Sequence, residues 1–84
     1  MAKGIHDARY KGLIDALLQA RREAGLSQSE LAQRLGTRQQ FVSKYESGER
    51  RLDVVKFIDI GHALNVDLMP LLGDIARCAL VSRG

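Results

Sequence analysis

A glycine turn between two short capped helices constrains the fold of this 84-residue chain more than any other feature. Ser27, with Glu30 three residues later, is a capping box that opens one helix. Thr37 with Gln40 repeats the arrangement for a second helix. Gly36 lies between them, where a tight turn needs a positive φ. The pattern therefore predicts two consecutive helices that meet at a steep angle.

The spacing of apolar residues predicts which sides of the two helices face each other. Intervals of three and four place five side chains on the inner sides: Leu31, Ala32, Leu35, Val42 and Tyr45. The outer side of the second helix carries four polar residues: Gln39, Gln40, Ser43 and Lys44. In the major groove of DNA, Gln can pair with adenine and Lys can donate to guanine. Arg38 begins the helix, and residues at the N-terminus of such a helix contact bases or phosphates. An ordinary solvated helix is the alternative, but it leaves the paired caps unexplained.

A family resemblance is carried by short matching segments at consistent spacing. They are Gly25-Leu26-Ser27-Gln28, Leu31-Ala32, Gly36, Val42-Ser43 and Tyr45-Glu46-Ser47-Gly48. With them, residues 17–72 resemble the phage Cro/CI repressor (Xre-like) helix-turn-helix family. The resemblance implies an all-α, lambda-repressor-like domain, a compact bundle of about five helices. Its helix-turn-helix would span residues 28–47, with the second helix as the recognition helix.

The resemblance also assigns roles to single positions. It implies that Gln28 binds a DNA phosphate and braces the recognition helix. Positions matching Arg38, Gln39, Gln40 and Lys44 contact DNA in the family, mainly its bases, and Ser43 shares their face. In family members the loop after the recognition helix runs beside the sugar-phosphate backbone, which makes Ser47, Arg50 and Arg51 candidate phosphate contacts. Simple solvation is the alternative for the arginines.

Arg21 interrupts the apolar face of the first predicted helix, which runs from about Asp7 to Ala24. A buried guanidinium needs a partner, and the resemblance supplies Glu46, giving a structural ion pair. The alternative is that both charges are exposed to solvent.

Two further helices follow. Asp53 is expected to cap a helix through Leu64, and Asp67 to cap a last helix over 67–80. The family commonly has Ala at Gly61, so Gly is expected to weaken that helix by up to about 1 kcal/mol. Asn65, in place of a family Gly, suits a left-handed helix end.

The last helix is expected to serve both the core and a dimer. Its early leucines would face inward, while Ile75, Ala79 and Leu80 would contact a twofold mate. A purely intramolecular role is the alternative.

Composition bounds the remaining possibilities. At 45% apolar residues, the chain can bury one modest core, so residues 1–84 are expected to form a single domain. Cys78 is the only cysteine, a buried inert thiol rather than a redox sensor in our interpretation, and His6 and His62 are isolated. We therefore expect no metal, no cofactor and no catalytic residues.

Charge and targeting point to nucleic acid and the cytoplasm. Residues 1–51 hold ten basic and six acidic side chains, whereas residues 52–84 hold three and four. The basic half contains the helix-turn-helix, and local positive charge attracts phosphate. There is no apolar run of the roughly 20 residues that span a bilayer and no signal-peptide core. We expect a cytoplasmic, nucleoid-associated bacterial or phage protein without membrane contact.

The expected function is sequence-specific transcriptional regulation. A homodimeric repressor or autoregulator would bind double-stranded DNA at a palindromic operator. The alternative is an antitoxin that binds a partner toxin and autoregulates its operon. An enzyme is not expected, because no nucleophile-base pair or carboxylate pair is visible.

Overall fold

Five helices make up residues 7–83, the part of the chain that the computed structural model describes, with side chains described through residue 77. They are α1 Ala8–Glu23, α2 Gln28–Leu35, α3 Gln39–Ser47, α4 Val54–Ala63 and α5 Met69–Arg83. No strand occurs in these residues, so the all-α prediction is confirmed. None of the helices in this range is long and apolar enough to cross a membrane.

Side-chain caps start most of these helices where the sequence predicts. Ser27 and Glu30 form the reciprocal capping box of α2, with Ser27 Oγ accepting from the Glu30 N–H at 3.0 Å. The bond from the Ser27 N–H lowers the pKa of the Glu30 carboxyl. Asp7 accepts from the Arg9 N–H at 2.8 Å, and Asp53 caps α4 in the same manner.

The predicted cap at Thr37 is wrong. Arg38 occupies the N-cap position of α3, and it makes no side-chain capping bond. The reason lies in the end of α2, where Gly36 adopts φ 70° and the Thr37 N–H donates back to the Ala32 carbonyl at 2.9 Å. Thr37 is therefore part of the turn that terminates α2, and it cannot also open α3.

The core lies where α2 crosses α3 and α4, with α1 packed against α3. Ten apolar side chains are buried: Ile14, Leu17, Leu31, Ala32, Val42, Tyr45, Leu52, Phe57, Ile60 and Leu64. The predicted inner faces of α2 and α3 are confirmed. Tyr10 ties α1 to the loop after α3, because its hydroxyl accepts from the Leu52 N–H at 2.8 Å.

The last helix differs from its prediction in both bounds and packing. It begins at Met69 because Asp67 accepts from the Met69 N–H at 3.0 Å, and it continues to Arg83. Leu72, expected to face inward, is exposed, whereas Ile75 is half-buried beside Tyr10 and Leu13 of α1. The side chains of Ala79, Leu80 and Cys78 lie outside the described residues.

Gly61 allows close packing between α4 and Leu68, a role that helix propensity does not predict. The residue is buried on α4, and a Cβ built on it would lie 2.5 Å from Leu68 Cδ1 and 2.7 Å from Leu68 Cγ. The absence of a side chain therefore allows the segment before α5 to pack closely on α4.

This contact predicts that Gly61→Ala is destabilising despite the better helix propensity of alanine. Overpacking typically costs about 1–3 kcal/mol, against a propensity gain of up to about 1 kcal/mol, so we expect a net loss of about 1–2 kcal/mol. In a Leu68→Ala background the clash is gone, and the same change should stabilise. Urea unfolding followed by circular dichroism measures both. A stabilising effect in the wild-type background would show that Leu68 yields freely.

Candidate nucleic-acid interface

The outer face of α3 brings together the five predicted base-contacting residues. Gln39, Gln40 and Ser43 line one shallow recess, while Arg38, Gln40 and Lys44 line a groove beside it. All are exposed except Ser43, which is half-buried. The opposite side of α3 is anchored by Val42 and Tyr45, which have no exposed surface. The helix is thus fixed from beneath while its polar side remains free.

The groove beside α3, which we call the basic groove, carries unbalanced positive charge. It is lined by Gly36, Thr37, Arg38, Gln40, Phe41, Lys44, Arg50 and Lys56. These include four cations and no carboxylate. Within the part of the chain that the structure describes, none of the four cations forms an ion pair. Adjacent uncompensated cations create a positive potential that attracts phosphate.

Two residues of this groove were missed by sequence reasoning. Phe41 is half-buried on α3 and packs on Tyr45, with ring centroids 5.5 Å apart and planes tilted by 58°. Lys56 lies on α4, with its Nζ 5.8 Å from the centroid of the Phe41 ring, and Arg50 Cζ lies 5.4 Å from the same centroid. An aromatic residue next to outward-facing Gln40 was a usable signal for Phe41. No spacing rule connects Lys56 to α3, because the two lie on different helices.

The structure separates the four predicted phosphate contacts. Arg50 lies in the basic groove, whereas Arg51 lines depressions next to Tyr10 and Leu13 on the α1 side. The Ser47 hydroxyl lies 3.1 Å from both the Lys44 carbonyl and the Glu49 carboxylate. Ser47 also lines a cleft against α1 instead of the basic groove. Arg50 is thus the loop residue that shares a surface with α3.

Gln28, the remaining candidate, belongs to a buried network that positions α3. Arg21 Nε donates to Glu46 Oε2 at 2.8 Å, and its Nη2 donates to Oε1 at 3.1 Å. Arg21 Nη1 donates to the Leu26 carbonyl at 2.7 Å, and Gln28 Nε2 donates to Glu46 Oε1 at 2.9 Å. The second proton of the Gln28 amide has no partner among the described residues. Gln28 can therefore brace α3 and still donate outward.

Burial and hydrogen bonding shift the pKa values of residues in and beside this network. The Arg21 and Glu46 side chains are only 11% and 5% exposed, which makes the pair a buried one. The hydrogen bond from Arg21 to Glu46 raises the pKa of the Arg21 guanidinium. Burial raises the pKa of Tyr45 far above its usual range, so its hydroxyl stays neutral. That hydroxyl has no hydrogen-bond partner among the residues described.

These features define the class of helix-turn-helix DNA-binding proteins: a short helix anchored on one side, an exposed polar face on the other, and neighbouring cations without an ion pair among the described residues. Comparison with known proteins supports this class and narrows it. A family model described as Helix-turn-helix matches residues 17–71. The chain is similar to a solved structure, an XRE-family like protein from Pseudomonas syringae pv. tomato str. DC3000, with 50% sequence identity and a TM-score of 0.79. The match covers 88% of this chain and 90% of that protein's chain. No curated protein matches the chain.

The chain belongs to the Xre-type helix-turn-helix family, so the expected family membership is confirmed. It is a DNA-binding transcription regulator.

The buried pair predicts a large and non-additive loss of stability on mutation. Arg21→Leu should lower the free energy of unfolding by about 3–5 kcal/mol, because the Glu46 carboxylate stays buried without its partner. Adding Glu46→Leu should restore part of the loss. Urea denaturation measures both, with exposed Arg22→Leu on the same helix as the matched control. Strictly additive losses would show that the two charges do not act as a pair.

Proposed function

We propose that this regulator is a sequence-specific repressor or autoregulator that binds a palindromic operator as a homodimer. The observation that carries this proposal is the exposed polar face of α3 beside four cations that form no ion pair within the described part of the chain. Polar side chains on a fixed helix can read base edges, while neighbouring cations hold the helix against the phosphates. Since its ligand would be chromosomal or phage DNA, we also propose a cytoplasmic, nucleoid-associated location.

The proposed base contacts follow from side-chain chemistry. Gln39 and Gln40 would each form a bidentate pair with adenine, in which the amide NH2 donates to N7 and the amide oxygen accepts from the N6 amino group. Lys44, one turn later, would donate to guanine O6 or N7. Arg38 at the start of α3 and half-buried Ser43 complete the set, with reach to either bases or adjacent phosphates.

The proposed phosphate contacts have unequal support. Arg50 is favoured because it lies in the basic groove and forms no ion pair with any residue that the structure describes. Gln28 is favoured because one of its amide protons has no partner among the described residues and lies near the N-terminus of α2, where phosphate is attracted. Arg51 has less support, since it lines the α1 side. Ser47 has less support because the Glu49 carboxylate beside its hydroxyl would repel phosphate.

Base reading predicts a loss of affinity that depends on the DNA sequence. Gln39→Ala and Lys44→Ala should each cost about 1–3 kcal/mol on the preferred site, and much less on random DNA. The site is obtained by selecting bound sequences from random duplexes, and affinities are measured by fluorescence anisotropy. Lys11→Ala, which removes a charge from the separate cleft between α1 and the end of α3, is the control. Equal losses on both DNAs would exclude base reading by these residues.

The homodimer proposal is supported by an apolar patch on α4. Val54, Val55 and Ile58 are 72%, 66% and 51% exposed, and Val54 and Ile58 line one depression with Leu72 of α5. Contiguous exposed apolar surface of this kind marks interaction sites. The patch begins shortly after the Arg50–Arg51 loop, so a second copy seated there would lie next to the loop that follows α3. A dimer contact at Ile75 has less support because Ile75 is half-buried, while contacts at Ala79 and Leu80 stay predictions.

This patch predicts that Ile58→Asp gives a folded monomer. A carboxylate is costly inside an apolar interface but is readily solvated on a free surface. Sedimentation velocity at micromolar concentration, alongside circular dichroism, should show a dimeric wild type and a monomeric, helical variant. Ile75→Asp is the comparison and should loosen α5 from α1 instead. A monomeric wild type contradicts the homodimer. A dimeric Ile58→Asp with a folded monomeric Ile75→Asp would move the contact to α5.

A further inference from the structure

Three separate parts of the fold converge on the Phe41 ring. Phe41 comes from the recognition helix, Arg50 from the loop that follows it, and Lys56 from α4. Both cationic groups lie within 6 Å of the ring centroid, at 5.4 Å and 5.8 Å. These are distances at which the negative face of an aromatic ring attracts a cation. The two charges consequently lie within about 11 Å of each other, roughly one Debye length at 0.1 M salt.

The two like charges repel each other in the free protein, so another interaction must hold them close together. Arg50 and Lys56 are exposed, carry like charges and have no carboxylate partner in the described residues. Elsewhere in the described chain, Arg9, Arg21 and Arg77 are held by Asp7, Glu46 and Asp74. A carboxylate would orient these cations but would also cancel their charge. An aromatic ring orients them and leaves the charge intact.

We propose that Phe41 is a positioning residue that holds Arg50 and Lys56 for phosphates of one DNA strand, and that Lys56 is a phosphate contact supplied by α4. The inference rests on the proposed DNA binding. It adds a DNA phosphate as the ligand of Lys56 on α4. Bound phosphates relieve the repulsion between the two cations. Because the ring limits where the long side chains can go, less conformational entropy is lost when they bind.

The first measurement is the salt dependence of binding to a random duplex of roughly 30 base pairs, which reports phosphate contacts without base reading. Fluorescence anisotropy is recorded between about 50 and 200 mM KCl. Lys56→Ala should weaken binding by up to about eightfold at 0.1 M salt and reduce the magnitude of the salt slope by about 1. Lys11→Ala removes the same charge from the separate cleft against α1 and should leave the slope unchanged.

The second measurement isolates the ring. Phe41→Leu keeps an apolar side chain but removes the attraction for both cations, and should weaken binding by about two- to fivefold per cation. Phe41→Tyr retains a ring and should bind like the wild type. In the Phe41→Leu background, Lys56→Ala should cost about two- to fivefold less than in the wild type. A merely structural role for Phe41 predicts no such coupling. Unfolding midpoints establish that each variant is folded, and Phe41→Met replaces Phe41→Leu if the latter unfolds.

The outcomes separate this inference from the proposed function. A wild type that does not bind the duplex at the lowest salt overturns DNA binding itself. A wild type that binds with a normal salt slope, which Lys56→Ala leaves unchanged, overturns the Lys56 contact and leaves the function standing. A reduced slope in Lys56→Ala, with identical binding by the Phe41→Leu and Phe41→Tyr variants, overturns the positioning role of Phe41.

Discussion

The buried ion pair between Arg21 and Glu46 is the interaction on which the placement of α3 depends. Arg21 binds both carboxylate oxygens and also the Leu26 carbonyl, so one side chain joins α1, the turn before α2 and the end of α3. Gln28 adds the first turn of α2 to the same carboxylate. A nine-residue helix is too short to persist alone in water. Its orientation must therefore come from such contacts and from the burial of Val42 and Tyr45.

This anchoring explains why the outer face of α3 can carry exposed polar side chains that the core does not need. Since stability is supplied from beneath, the side chains of Gln39, Gln40 and Lys44 are not required by the fold and remain exposed. Arg38 shows the same separation at the helix start, where it occupies the cap position without making a capping bond. A helix in this position gives up a capping interaction worth about 1 kcal/mol. The arginine side chain stays available for a ligand.

The sequence predicted features that depend on near neighbours and missed those that depend on distant ones. The Ser27–Glu30 box, the left-handed turn at Gly36 and the inner faces of α2 and α3 all follow from local spacing and were recovered. The predicted cap at Thr37 is wrong because Thr37 could either cap α3 or end α2, and its N–H bonds to the Ala32 carbonyl at the end of α2. Helix propensity predicts that Gly61 only weakens α4, whereas its close contact with Leu68 decides its role. The proximity of Lys56 to Phe41 is likewise a property of the tertiary fold, as is the half-buried position of Ile75.

Different cations serve folding and binding: folding favours cations paired with carboxylates, whereas binding to phosphate favours cations whose charge is not neutralised. Arg21 is paired with Glu46 and serves stability. The cations of the basic groove form no ion pair with the residues that the structure describes, and they add mutual repulsion that the free domain must tolerate. A surface optimised for stability alone would place carboxylates among them. Phe41 offers a compromise, because a ring attracts cations without neutralising them. Screening by salt weakens both the repulsion and the attraction to phosphate, so ionic strength should stabilise the free groove while it weakens DNA binding.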